Sequence, residues 1–165
     1  MRPRDMSGLS GADSDRGIKL CVTCSGGGHW LEAERAASLL DCERYYVTFY
    51  TPRLEQERRT KRIYFVAHAS RRHPLLFLVN AWQSLRILLR ERPDVILSTG
   101  ADVAVPTCLL GKLLGAKLVF VESGGNVYTP SLTGRLMYPI ADLFLVQWAP
   151  LRQRFPKAVV GGPLL

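Results

Sequence analysis

From Ile18 onward the chain alternates short apolar runs with longer stretches whose apolar residues recur at helical spacing. Ile18–Cys24, Tyr45–Tyr50, Ile63–Ala67, Asp94–Ser98, Lys117–Val121, Leu143–Gln147 and Ala158–Val160 read as strands. Trp30–Leu40, Leu75–Arg92, Val103–Leu114 and Thr133–Ala141 read as helices, with Pro93 closing the second and Gly115 capping the third. Arg53–Arg62 reads as a charge-dense connection. Strands joined through intervening helices by short turns lie parallel, with the helices covering the sheet. The pattern therefore specifies an α/β fold, a Rossmann-like doubly wound parallel sheet. It fits one domain, residues 18–165, behind a polar tail, residues 1–17, that is expected to be disordered.

A formal charge of +8 on 165 residues points to a negatively charged partner: nucleic acid, anionic lipid or a phosphorylated ligand. Simple solubility is the plainer explanation. No stacking-aromatic strip or helix-turn-helix is visible, so nucleic acid is not the expected partner. The tail lacks the apolar core of a signal peptide, and Val103–Val121 is broken by Pro106, Lys112, Gly115 and Lys117. A cytosolic or peripheral protein without a transmembrane helix is expected. The four cysteines, Cys21, Cys24, Cys42 and Cys108, are scattered through apolar surroundings. Cys21 and Cys24 form a C-x-x-C, but they fall inside a strand rather than at a helix N-terminus, and further metal ligands are not evident nearby. Buried free thiols are expected.

In a sheet of this kind ligands sit at the carboxyl ends of the strands, near the switch point. Three polar loops fall there: Ser25–His29, Thr99–Asp102 and Glu122–Asn126. The run Gly26-Gly27-Gly28 leading into a helix offers backbone N–H groups at the positive end of the dipole, which suits a phosphate. It is not a dinucleotide fingerprint, because Leu31 stands at the third glycine and Tyr50-Thr51 where an acid belongs. Nor is it a Walker A loop, since His29-Trp30 replaces the lysine and hydroxyl residue. Glycines serving only a tight turn are the structural alternative. His29 sits at the loop-to-helix junction, where an imidazole faces the cleft or is merely structural. Glu32, one turn on, is a candidate base or a capping-box acid. Glu122 ends an apolar strand, either as a general base or as a clamp for loop amides.

The long helix carries more apolar surface than one face needs. Leu75, Leu78, Trp82, Leu85 and Leu89 form a stripe expected to cover the sheet, widened by Phe77, Ala81, Leu88 and Val79. Leu76 and Ile87 lie on the remaining face. Arg71, Arg72 and His73 precede the helix, and Arg86, Arg90 and Arg92 punctuate it. Arginine-flanked apolar surface suits a monotopic helix at an anionic bilayer, or a protein partner.

Ser25–His29 with Glu32, Arg92-Pro93-Asp94, Thr99-Gly100 and Val121-Glu122-Ser123 form one set of motifs. Ser131–Tyr138, Ala141-Asp142, Leu145–Trp148 and Phe155-Pro156-Lys157 form another. Together they resemble the PssD proteins of bacterial exopolysaccharide synthesis. They are also similar to the anchoring subunit of the eukaryotic transferase that adds the second GlcNAc to dolichol-diphosphate-GlcNAc, and more distantly to the MurG-type N-terminal domain. The resemblance runs from about Ile18 to Gly162.

The resemblance implies the N-terminal half of a GT-B glycosyltransferase, acting as the acceptor-binding subunit of an inverting enzyme at the cytoplasmic membrane face. A PssE-like subunit would hold the UDP-sugar, and the acceptor would be a polyprenyl-diphosphate-linked saccharide. This chain would bind no cofactor or metal itself. Glucuronic acid is the expected donor sugar, with galactose its competitor. His29, Glu122 and Glu32 are the candidate bases. Ser25, Gly26, Gly27, Gly28, Gly100, Asp102, Ser123 and Asn126 would receive the acceptor, and Arg71, Arg72, Leu75, Leu76, Phe77, Val79, Trp82 and Arg86 would meet the membrane. The sequence ends at Gly161–Leu165, where a single-chain GT-B enzyme would continue into its donor domain. It departs from the family at Gly124-Gly125-Asn126, where an aromatic and an arginine are common, and a smaller, more flexible loop is expected there. A non-catalytic scaffold that recruits the donor subunit to the membrane is the alternative.

Overall fold

The computed structural model describes residues 17–68 and 74–165. Residues 1–16 of the expected tail, and the expected membrane contacts Arg71 and Arg72 with His73, lie outside the described residues. Seven parallel strands form one sheet in the order β3-β2-β1-β4-β5-β6-β7. They are β1 Lys19–Thr23, β2 Glu43–Phe49, β3 Ile63–Val66, β4 Val95–Ser98, β5 Lys117–Val121, β6 Leu143–Val146 and β7 Val159–Val160. The helices are α1 Gly28–Ser38, α2 Pro52–Glu57, α3 Pro74–Glu91, α4 Val105–Leu113 and α5 Leu132–Met137. The order reverses between β1 and β4, so the switch-point crevice opens between the loops that follow those two strands.

Period-two alternation assigns each strand residue to one face. Cys21, Tyr45, Val47, Ile96, Leu118 and Phe120 join the core beneath α3, α4 and α5. Leu20, Val22, Tyr46, Leu97 and Val121 join the core beneath α1, with Trp30, Ala33, Ala37 and Leu54. Cys21, Cys24 and Cys108 are buried free thiols, and burial pushes those of Cys24 and Cys108 up to about 12. Burial therefore favours the neutral thiol over the reactive thiolate near neutral pH.

Two elements differ from the sequence reading. The charge-dense connection contains a helix, α2, started by Pro52 and capped by Thr51, whose Oγ1 accepts the Leu54 N–H at 3.2 Å. The larger correction concerns α3. Its expected sheet-covering stripe faces outward: Leu75, Leu78, Trp82 and Leu89 are exposed, Trp82 by 61%. The buried face is instead Asn80, Ser84, Leu88 and Glu91.

Hydrogen bonds account for this inversion. Asn80 Nδ2 donates to the Ala67 carbonyl at 2.7 Å, and the Ala67 N–H donates to Gln83 Oε1 at 2.6 Å. Ser84 Oγ bonds Asn80 Oδ1 at 3.0 Å and shares a hydrogen bond with Thr107 Oγ1 at 2.9 Å. Satisfied small polar groups let α3 lie close against α4 without the cost of stranded donors.

At the amino edge of the sheet Glu91 is paired with Lys19 at 2.8 Å and Arg62 at 2.6 Å. Burial pushes the Glu91 carboxyl up, but the bonds from Lys19 and Tyr64 and the Arg62 charge outweigh it and hold it below its ordinary value. The Lys112 ammonium and the Leu118 N–H likewise hold Asp142 well below the usual range. A depressed folded pKa gives stability that is complete above the unfolded carboxylate value of about 4 and is lost as pH falls through the folded value. The urea midpoint is therefore expected to fall between pH 4 and pH 2, and Asp142→Asn is expected to flatten that slope. Equal slopes in the two proteins would show that Asp142 does not contribute.

Candidate functional site

Three loops converge at the carboxyl edge. After β1, Gly27 adopts φ 80°, a left-handed conformation that turns the chain into α1. No side chain caps α1, and a Cβ added to Gly27 or Gly28 would meet nothing within 4 Å. The first N–H groups of this helix thus border open space, the arrangement that receives an anion. After β4, Thr99 Oγ1 donates to the His29 carbonyl at 2.8 Å, tying the start of α1 to the second loop. Gly100 at φ 105° leaves room beside the His29 ring, and Asp102 opens the turn that precedes α4.

The His29 side chain is 31% exposed, and its Nδ1 stands 3.8 Å from Glu32 Oε2. Both atoms are buried and have no hydrogen-bond partner. Glu32 is 3% exposed, and its other oxygen, Oε1, accepts the Gly124 N–H at 2.7 Å and Gln147 Nε2 at 3.0 Å. The capping-box reading of Glu32 is thereby corrected. It stands two residues beyond the capping-box position of α1, and it reaches across the crevice to the third loop instead. One carboxylate oxygen orders a loop, and the other faces the imidazole. A histidine backed by a carboxylate is the arrangement that orients a general base and stabilises its protonated form.

Glu122 is 1% exposed, and both oxygens are engaged. Oε1 accepts from Ser123 N–H at 3.2 Å and Asn126 Nδ2 at 2.8 Å, and Oε2 accepts from Ser131 Oγ at 3.0 Å. Of the two roles open in the sequence, the geometry is that of the clamp. The expected flexibility of the third loop is also corrected. A Cβ on Gly124 would stand 2.9 Å from Gln147 Oε1 and 3.0 Å from Glu32 Oε1, and Trp148 Nε1 donates to its carbonyl at 2.6 Å. The loop is thus tightly packed at Gly124, where a side chain would crowd both oxygens. Ser25 is half-buried beside these loops, and its Oγ bonds the Gly26 carbonyl. No group of three or more His, Cys, Asp or Glu among the described residues is placed to hold a metal ion.

Residues 20–164 match the family described as Oligosaccharide biosynthesis protein Alg14 like. This chain belongs to that family. An Alg14-like relative from Rattus norvegicus, named UDP-N-acetylglucosamine transferase subunit ALG14, is 29% identical over 143 residues, covering 83% of this chain and 62% of its own. The chain thus spans about three fifths of that relative's length. Among solved structures, Acinetobacter baumannii MurG superposes with a TM-score of 0.70 at 18% identity, covering 81% of this chain and 42% of that one. The UDP-GlcNAc 2-epimerase of Methanocaldococcus jannaschii gives 0.69 at 13% identity, covering 87% and 45%. At such identities these likenesses show the fold, a Rossmann-like domain of the GT-B type, and an epimerase shares it as readily as a transferase.

The candidate site includes residues to which the sequence reading gave no role: Ser131, Gln147 and Trp148. Gln147 had a readable signal, a polar residue ending an apolar strand as Glu122 does. Ser131 carried a local signal as the N-cap of α5, whereas its bond to Glu122 and that of Trp148 to Gly124 arise only in the fold.

Proposed function

We propose that this chain is the acceptor-side subunit of a two-component inverting glycosyltransferase. The observation that carries the reading is the His29–Glu32 pair beside the uncapped start of α1. The acceptor's phosphate is received by the N–H groups of the Gly26–Gly28 turn and α1, with Ser25, Gly100, Asp102, Ser123 and Asn126 bordering the sugar. The other ring nitrogen of His29, Nε2, takes the proton from the acceptor hydroxyl, and Glu32 stabilises the imidazolium through Nδ1. The hydroxyl oxygen then bonds the anomeric carbon as the bond from that carbon to the nucleoside diphosphate breaks. The UDP-sugar is held by a separate donor-binding subunit, so this chain supplies neither cofactor nor metal. The names of the Alg14-like relatives support N-acetylglucosamine as the first donor to try. A PssD-like place in exopolysaccharide synthesis, with a PssE-like partner, a polyprenyl-diphosphate acceptor and glucuronic acid or galactose as donor, is the finer form of the same reading.

The test is transfer from a panel of UDP-sugars to polyprenyl-diphosphate saccharides, with and without a donor-binding partner. Product only in the presence of both proteins supports the reading. A stable complex that transfers nothing leaves the scaffold role.

No helix among the described residues is long and apolar enough to cross a membrane. We place the chain peripherally, at the cytoplasmic membrane face, through α3. Leu75, Leu76, Phe77, Leu78, Val79 and Trp82 are all exposed, and Arg86 lies beyond them. The paired changes Leu78→Glu and Trp82→Glu are expected to weaken binding to anionic vesicles by about tenfold or more, read by co-flotation. Unchanged flotation would remove α3 from the membrane contact.

A further inference from the structure

Gln147 follows β6 at the carboxyl edge and is 4% exposed. Its three hydrogen bonds reach three separate parts of the chain. Nε2 donates to Glu32 Oε1 at 3.0 Å and to the Glu122 carbonyl at 3.2 Å, and Oε1 accepts the Leu164 N–H at 2.8 Å. An amide with two acceptors on its nitrogen side and a donor on its oxygen side has one orientation. Turned over, it would set oxygen against two oxygens and NH₂ against N–H.

The donor on the oxygen side belongs to the segment after β7. The Gly161 N–H bonds the Val146 carbonyl at 3.0 Å, continuing the strand pairing, and Gly162 at φ 80° then turns the chain. Leu164 packs half-buried against the α1-side core, which brings its N–H to Gln147. On the other side of Gln147, Glu32 gives Oε1 to the loop donors and keeps Oε2 toward His29. Two hydrogen bonds and one 3.8 Å charge-to-ring approach therefore link residues 161–165 to the imidazole. They run from the Leu164 N–H through the Gln147 amide and the Glu32 carboxylate to His29 Nδ1.

We infer that Gln147 is a positioning residue for the His29–Glu32 pair, and that the seating of residues 161–165 is transmitted to that pair through its amide. Its catalytic consequence rests on the transferase reading above, whereas the linkage itself does not. Without the Leu164 N–H a buried carbonyl oxygen loses its donor, and the amide shifts toward whatever donor it can reach. Glu32 then loses one of the bonds that fix its rotamer, and Oε2 is no longer held opposite Nδ1.

Leu164→Pro removes this N–H, Leu164→Met keeps it with a side chain of similar size, and Gln147→Met removes the amide. Amide hydrogen exchange is measured on the isolated chain, and steady-state transfer on the reconstituted pair. Leu164→Pro and Gln147→Met are expected to speed exchange at Gly124 by about tenfold and to lower kcat by about tenfold, with both KM values within about twofold, whereas Leu164→Met resembles the parent. Exchange at the central sheet amides stays unchanged, which separates this effect from general destabilisation. Unaltered Gly124 exchange in both deleting variants overturns the linkage. Faster exchange with unchanged kcat overturns the positioning role. If the unmodified pair transfers no sugar, the transferase reading falls, and the exchange result alone decides the linkage.

Discussion

His29→Ala is expected to lower kcat of the reconstituted pair by about 10²–10⁴-fold, the range associated with removal of a general base. The fold should be indifferent to the change. The His29 side chain is partly exposed and its Nδ1 has no hydrogen-bond partner, so truncation strands no buried group that was satisfied before. Glu32→Gln keeps the shape but removes the charge opposite Nδ1, and is expected to cost less, about 10–10²-fold. Because the two side chains act as a unit, the double variant should be no slower than His29→Ala alone. Steady-state kinetics at saturating donor and acceptor decides the matter. Near-normal turnover in His29→Ala would end its assignment as base. A double variant whose losses multiply would show that Glu32 acts independently of it.

Gly134→Ala is expected to destabilise the chain by about 3 kcal/mol, at the upper end of what overpacking costs. A Cβ at position 134 would fall well inside contact distance of Glu122 Oε2, 3.0 Å from Glu122 Cδ and 3.0 Å from Ser131 Oγ. Neither neighbour can yield cheaply, because Glu122 is buried and Ser131 both donates to it and caps α5 through the Gly134 N–H at 2.8 Å. For a chain of this length the loss corresponds to about 6–12 °C in Tm. Gly125→Ala in the third loop is the control, since its nearest foreign atom would be Ser123 Oγ at an ordinary 3.9 Å. Equal melting temperatures for the two variants would show that the Glu122 clamp can relax around a methyl group, and that the third loop is held by Glu32 and Trp148 instead.

The contrast between these glycines shows where a sequence stops being readable. The strands were legible because period-two apolar runs bounded by turns have few alternative meanings, and the seven runs lie on the seven strands to within a few residues. The short helix α2 was hidden by its charge, although Thr51-Pro52 carried the start signal. The orientation of α3 was not recoverable from a wheel. A wheel assumes that grease faces the sheet, and here Asn80, Ser84 and Thr107 satisfy one another across the helix pair.

At the site, His29 and Glu32 were visible because they stand three residues apart on one helix. The partners of Glu32, at Gly124 and Gln147, are 92 and 115 residues away and meet it only through the register of β5 and β6 against the rest of the sheet. Gly124 suggested flexibility for the same reason. Nothing local reveals that a glycine is required by neighbours rather than by its own φ.

The inverted packing of α3 separates two properties that most helices keep joined. In an ordinary amphipathic helix the large apolar residues hold the fold, and altering them to suit a new surface unfolds the protein. Here the anchoring falls to Asn80, Ser84 and Leu88, while Leu75, Leu78 and Trp82 contribute little to the interior. The outer face is thus free to diverge in lineages whose lipids or partners differ, with the inner seam keeping the helix in place. In a set of related sequences, variation should concentrate on that outer row and spare the small polar one, the reverse of the usual pattern for a helix packed on a sheet.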